Sequence, residues 1–137
     1  MLRLTDLSLL ITAGVPNNGF SLWLQKADFV LLFTAIVGVI LAILNARKKN
    51  IPFILVLVHG LFSVIGMILF VIAIATASLG IFITVSCILF LVDALGGFVL
   101  YSHRLRKQPL PGAMVVVHGL IVVLGFAIQT PYWWSFH

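Results

Sequence analysis

Charge is scarce in this sequence. Three acidic and eight basic side chains stand among 137 residues, of which 63% are hydrophobic, and the mean hydropathy is +1.28. A soluble domain this short needs far more polar surface to cover its core, so most of the apolar surface must face lipid. Cysteine is nearly absent too. The single Cys87 lies inside an apolar run, which excludes a disulfide framework and a cysteine-built zinc site. There is no nucleophile–base pair, phosphate-cradling loop or repeated pair of carboxylates, so catalysis is not expected. The net charge of +5 and a pI near 10 raise nucleic acid as a partner. The basic residues, however, sit in short loops between apolar runs, where membrane topology accounts for them and no nucleic acid is expected.

What is present is four long apolar stretches: 27–45, 52–77, 79–103 and 112–131. Each has roughly the 20 residues needed to cross about 30 Å of hydrocarbon at about 1.5 Å per residue. Between Ile51 and His103 the only ionisable side chains besides Tyr101 are His59, Cys87, Asp93 and His103 itself. That run is too long for one span, and it reads as two helices joined by a tight turn at Thr76-Ala77-Ser78. Apolar segments of this length are helices and not barrel strands. The fold class expected is therefore an all-α integral membrane four-helix bundle, with 27–137 as the bundle. Residues 1–26 are expected to form an outer interfacial segment, with a turn at Val15-Pro16-Asn17-Asn18-Gly19.

Orientation follows from the basic residues. Arg47, Lys48 and Lys49 fill the first loop and Arg104, Arg106 and Lys107 the third, whereas only Arg3 and Lys26 lie on the other side. The two basic loops are thus expected in the cytoplasm and both termini outside it, in a bacterial inner membrane. Trp23, Tyr132, Trp133 and Trp134 then fall at the outer interface, as an aromatic belt requires.

The chain also repeats itself. Shifted by 59 residues without a gap, Leu32, Ala35, Gly38 and Leu41 fall on Leu91, Ala94, Gly97 and Leu100. Arg47, Lys48 and Pro52 fall on Arg106, Lys107 and Pro111, and Val58-His59-Gly60-Leu61 falls on Val117-His118-Gly119-Leu120. Similarity among apolar residues does not explain a repeated Arg-Lys-x3-Pro and Val-His-Gly-Leu in one register. The two copies cover about 28–70 and 87–129. Each two-helix unit returns the chain to its starting side, so the copies share an orientation about a pseudo-twofold axis along the membrane normal. In a bundle with short loops the second and fourth helices are diagonal, which places His59 and His118 at one depth, facing each other. Each is seven residues past its helix-starting proline, roughly 10 Å into the bilayer.

A histidine inside a membrane helix is costly and usually faces the bundle interior. Two imidazoles directed at a common centre point to one b-type haem with His59 and His118 as axial ligands, serving electron transfer. Gly60 and Gly119 follow the histidines and leave room beside a flat ring. Gly38 and Gly97, extended by Gly96, lie near histidine depth, where macrocycle edges would press. Arg47, Lys48, Arg106 and Lys107 lie at the near interface to pair with propionates. The arrangement resembles the haem-binding four-helix cores of membrane cytochromes b, in which the second and fourth helices supply paired histidine ligands. The resemblance implies His59 and His118 as ligands of one haem. The second histidine pair of that family, near the opposite face, has no counterpart here. A redox partner protein or a quinone would exchange the electron.

Three further readings stand beside this one. Duplication copies a structural histidine as readily as a ligand, which leaves a membrane interaction subunit without a ligand of its own. A small proton-coupled transporter could be centred on Asp93, with both histidines in its polar path. A metal ion shared directly by the histidines has only two symmetric ligands, since Asp93 has the unlike Thr34 as its repeat mate. Asp93 is ten residues before His103, about 15 Å deep, and reads as a partner of a histidine, a proton carrier or an interhelical hydrogen bond. His103 reads as an interfacial cap or propionate neighbour, and His137 as solvated.

Overall fold

A computed structural model describes residues 20–76 and 80–134. The expected interfacial segment up to residue 19, the Ala77-Ser78 turn, His137 and the side chains of Tyr132, Trp133 and Trp134 lie outside the described residues. Within them the chain forms four helices: α1 (Phe20–Ala46), α2 (Phe53–Thr76), α3 (Ile81–Leu105) and α4 (Gly112–Trp134). All four are long and apolar enough to span a membrane. Their side chains are exposed on the outside of the bundle: Phe29 at 73%, Leu95 and Phe98 at 69% each. In water such a surface would be untenable; against lipid it needs no cover. The chain is a multi-pass integral membrane protein. Helix α1 starts at Phe20, before the apolar stretch that begins at residue 27, so residues 20–26 of the expected interfacial segment belong to this helix. Lys26 Nζ sits 4.9 Å from the Trp23 ring centre there.

The helix ends show how the duplication works locally. α1 closes with Lys48 N–H to Asn45 O and Lys49 N–H to Leu44 O, both 3.0 Å. α3 closes with Lys107 N–H to Arg104 O at 3.1 Å and Gln108 N–H to His103 O at 2.9 Å. These are the two bonds of a Schellman cap, made twice in the same register. The position that usually takes glycine holds lysine in both, Lys48 at φ 52° and Lys107 at φ 55°. A side chain there costs about 1–2 kcal/mol. Pro52 and Pro111 then start the return helices, each carbonyl accepting from the first turn.

Each helix packs on its sequence neighbours, α1 also lies against α4, and the backbones of diagonal helices stay apart among the described residues. Contact is closest within each hairpin, α1 with α2 and α3 with α4, and thin between the hairpins. The apolar core is confined to the half of the bundle away from the basic loops: Leu24, Ala27, Leu31, Phe70, Ala73, Ile83, Cys87 and Phe90. Phe90 bridges the hairpins there, its ring centre 5.7 Å from that of Phe70 and 5.2 Å from that of Phe126. Gly66 and Gly125 are repeat mates with matching neighbours. A Cβ at the first would meet Leu31 at 2.7 Å, and at the second Phe90 at 2.6 Å; Leu31 and Phe90 are themselves repeat mates. Toward the basic loops few apolar side chains are buried, only Val37 and Ile51. The large buried apolar side chains are thus gathered in one half of the bundle.

A paired histidine site between the hairpins

The other half holds the histidines. His59 on α2 and His118 on α4 face each other with ring centres 6.3 Å apart and planes crossed at 75°. Each ring is held through Nδ1 by the helix that precedes its own. His59 Nδ1 lies 3.0 Å from Thr34 O on α1. A carbonyl only accepts, so Nδ1 carries the proton and Nε2 keeps the lone pair. His118 Nδ1 lies 2.6 Å from Asp93 Oδ1 on α3. Both of those atoms are buried, and this ion-pair contact is the one polar contact either makes among the described residues. The carboxylate accepts, and His118 takes the same tautomer as His59. Neither Nε2 makes a hydrogen bond among the described residues.

Thr34 and Asp93 are repeat mates. They do one job with different atoms, a backbone carbonyl in the first copy and a side-chain carboxylate in the second. Thr34 offers its carbonyl to the ring, and its hydroxyl bonds back to Val30 O at 2.9 Å. The glycines at histidine depth pack on the imidazoles themselves. A Cβ on Gly38 would lie 2.9 Å from His59 Cε1, and one on Gly97 would lie 3.3 Å from His118 Cε1. Gly96 lies farther, 3.8 Å from His118 Nδ1 by the same measure. The helices approach the rings this closely because both positions lack a side chain. Gly60 and Gly119 meet nothing within 4 Å.

The remaining expected residues lie apart from this pair. Arg47 and Arg106 sit at the two Schellman caps of the basic face. His103 is in the last turn of α3, with a buried Nδ1 that has no partner among the described residues. No group of three or more His, Cys, Asp or Glu that could hold a metal ion exists among the described residues.

Sequence reasoning missed a second polar cluster, in the half with the apolar core. Ser86 Oγ donates to Gly125 O at 2.7 Å, and Gln129, 1% exposed, donates from Nε2 to Asp28 Oδ1 at 3.0 Å. This links α4 to α1 between the hairpins. Beside it lies a cleft of about 240 Å³ between Phe29, Leu32 and Phe126. The signal was present: an aspartate two residues after Lys26 and a glutamine late in the fourth span.

Comparison with protein-family models, curated proteins and solved structures finds no match for this chain. What it does must therefore be read from the site.

Proposed function

We propose that this protein is a membrane b-type haem-binding protein that transfers electrons through one haem held by His59 and His118. The observation that carries the reading is the pair of Nδ1 anchors. A ligating histidine characteristically donates its other ring N–H to a carbonyl or carboxylate, which fixes the tautomer and aims the lone pair. Two structural histidines have no need of that shared tautomer. The spacing supports the same reading: ring centres 6.3 Å apart would let both imidazoles hold one metal centre. Two nitrogens alone suit a planar macrocycle better than a bare ion, which needs more protein ligands.

The bound group would supply one-electron exchange at a low-spin iron. The chain's residues hold and tune it. His59 and His118 present Nε2, Thr34 O and Asp93 orient them, and Gly38 and Gly97 let α1 and α3 close on the rings. With haem bound, the Asp93 carboxylate would make His118 the stronger donor and favour the oxidised state. Arg47 and Arg106 carry the charge to pair with propionates at the basic face. That face is read as cytoplasmic, with both termini outside.

The second reading is a small proton-coupled transporter. Two intramembrane acids at different depths, Asp28 and Asp93, favour it. A visible spectrum of the reduced, detergent-purified protein separates the two. His59→Ala and His118→Ala should each abolish or convert a sharp α band, whereas His103→Ala should preserve it. A protein whose α band survives both of the first two substitutions does not use these ligands.

A further inference from the structure

We propose that the cleft at the end of α3 binds the phosphate of an anionic phospholipid headgroup. The cleft measures about 590 Å³ and is lined by Arg104, Lys107, Gln108 and Pro109. Its two cations are placed by the fold. Arg104 Nη2 donates to Ile51 O at 2.6 Å, reaching from one hairpin to the loop of the other. The guanidinium is thereby fixed, with its other donors uncommitted among the described residues. Lys107 occupies the left-handed cap position at φ 55°, where glycine would be easier. A cation stands there in spite of the backbone conformation, and Lys48 repeats the choice in the first copy.

Among the described residues no acidic side chain neutralises this charge locally. The chain's three acids are Asp6, Asp28 and Asp93, and neither basic loop contains one. Asp93 is eleven residues before Arg104 on the same helix, about 16 Å away along the axis. The cleft opens where α3 leaves the apolar span, at the level of lipid headgroups, and basic pockets there recruit anionic lipids. Leu105, 57% exposed beside it, leaves an apolar surface for the acyl chains. A fixed guanidinium next to an ammonium suits a phosphodiester oxyanion, the first bidentately and the second as a point charge. The lipid is favoured over free phosphate because its glycerol and acyl chains fit this position at the interface.

The test uses the full chain in phosphatidylcholine bilayers with spin-labelled phosphatidylglycerol or phosphatidylcholine, reading the fraction immobilised on the protein. Phosphatidylglycerol should be preferred several-fold. Lys107→Gln should cut that preference about five-fold, the equivalent of roughly 1 kcal/mol for one basic group at an anionic surface. Arg104→Gln should do the same, and Arg104→Lys should retain most of it. Lys49→Gln, the same charge change outside the cleft, should have little effect. Should Arg104→Gln fail to insert, Lys107→Gln decides, since its side chain makes no hydrogen bond among the described residues. Three results would overturn the proposal. One is equal association of the two lipids, and another is a Lys49→Gln loss as large as that of Lys107→Gln. The third is displacement of phosphatidylglycerol by millimolar inorganic phosphate, which would make the occupant a free anion.

Discussion

Gly38→Ala and Gly97→Ala are the same substitution at repeat-equivalent positions, and the structure assigns them different outcomes. At Gly38 the new methyl would lie 2.9 Å from His59 Cε1. Carbon atoms rest at about 3.5–4.0 Å, so the ring or α1 must move by more than half an ångström. The ring is tied to Thr34 O at 3.0 Å on the same helix as the methyl, so it cannot retreat without stretching that bond. At Gly97 the corresponding distance is 3.3 Å, and a shift of a few tenths suffices. Overpacking costs typically 1–3 kcal/mol, and replacing a helical glycine by alanine returns up to about 1 kcal/mol. Gly38→Ala should therefore lose about 1–2 kcal/mol, and Gly97→Ala should come out near zero. Reversible unfolding in mixed micelles would compare them, and the visible spectrum would show whether only Gly38→Ala disturbs the axial ligand. If Gly38→Ala is as stable as Gly97→Ala, with unchanged spectra in both, the close approach of α1 to His59 is refuted.

With haem bound as proposed, Asp93→Asn should raise the midpoint potential by about 50 mV, because a neutral acceptor would no longer stabilise the oxidised iron through His118. That is roughly 1 kcal/mol, the difference between a charged and a neutral hydrogen bond. Redox titration would show it, and an unchanged potential would return Asp93 to a purely structural role. Gln129→Leu removes the amide that donates to Asp28 and should cost about 1–3 kcal/mol in the same micellar unfolding assay. A wild-type stability would mean this polar link between the hairpins contributes nothing. A reporter active only in the cytoplasm, fused after His137, should stay silent; strong activity would invert the orientation and place the basic face outside.

The architecture was legible because lipid leaves so few solutions. Four apolar runs of this length, joined by two basic loops and one short turn, read as helices, and the 59-residue shift set which pairs are equivalent. The histidine pair followed from that symmetry. Its supports did not. Thr34 contributes a backbone carbonyl, which every residue carries and which no residue type announces. Asp93 seemed to stand outside the repeat because its mate is Thr34, yet both hold the Nδ1 of their own histidine. Asp28 was hidden by its place beside Lys26, at what looked like the edge of a span. Gln129 and Ser86 have Phe70 and Ala27 as mates, so a comparison of the copies dilutes exactly the polar residues in which they differ. Arg104 reads as one more loop cation, and only the fold shows it tied to Ile51 O.

The central claim is that His59 and His118 offer a shared pair of Nε2 lone pairs to one iron. It is tested most directly by electron paramagnetic resonance of the oxidised protein, purified from haem-sufficient cells and assayed for haem per chain. About one haem per chain is expected, with a low-spin ferric signal. Because the imidazole planes cross at 75°, that signal should be of the strongly anisotropic kind that near-perpendicular axial rings produce. A protein that is colourless and takes up no added haemin, or one whose haem is high-spin, would contradict the claim.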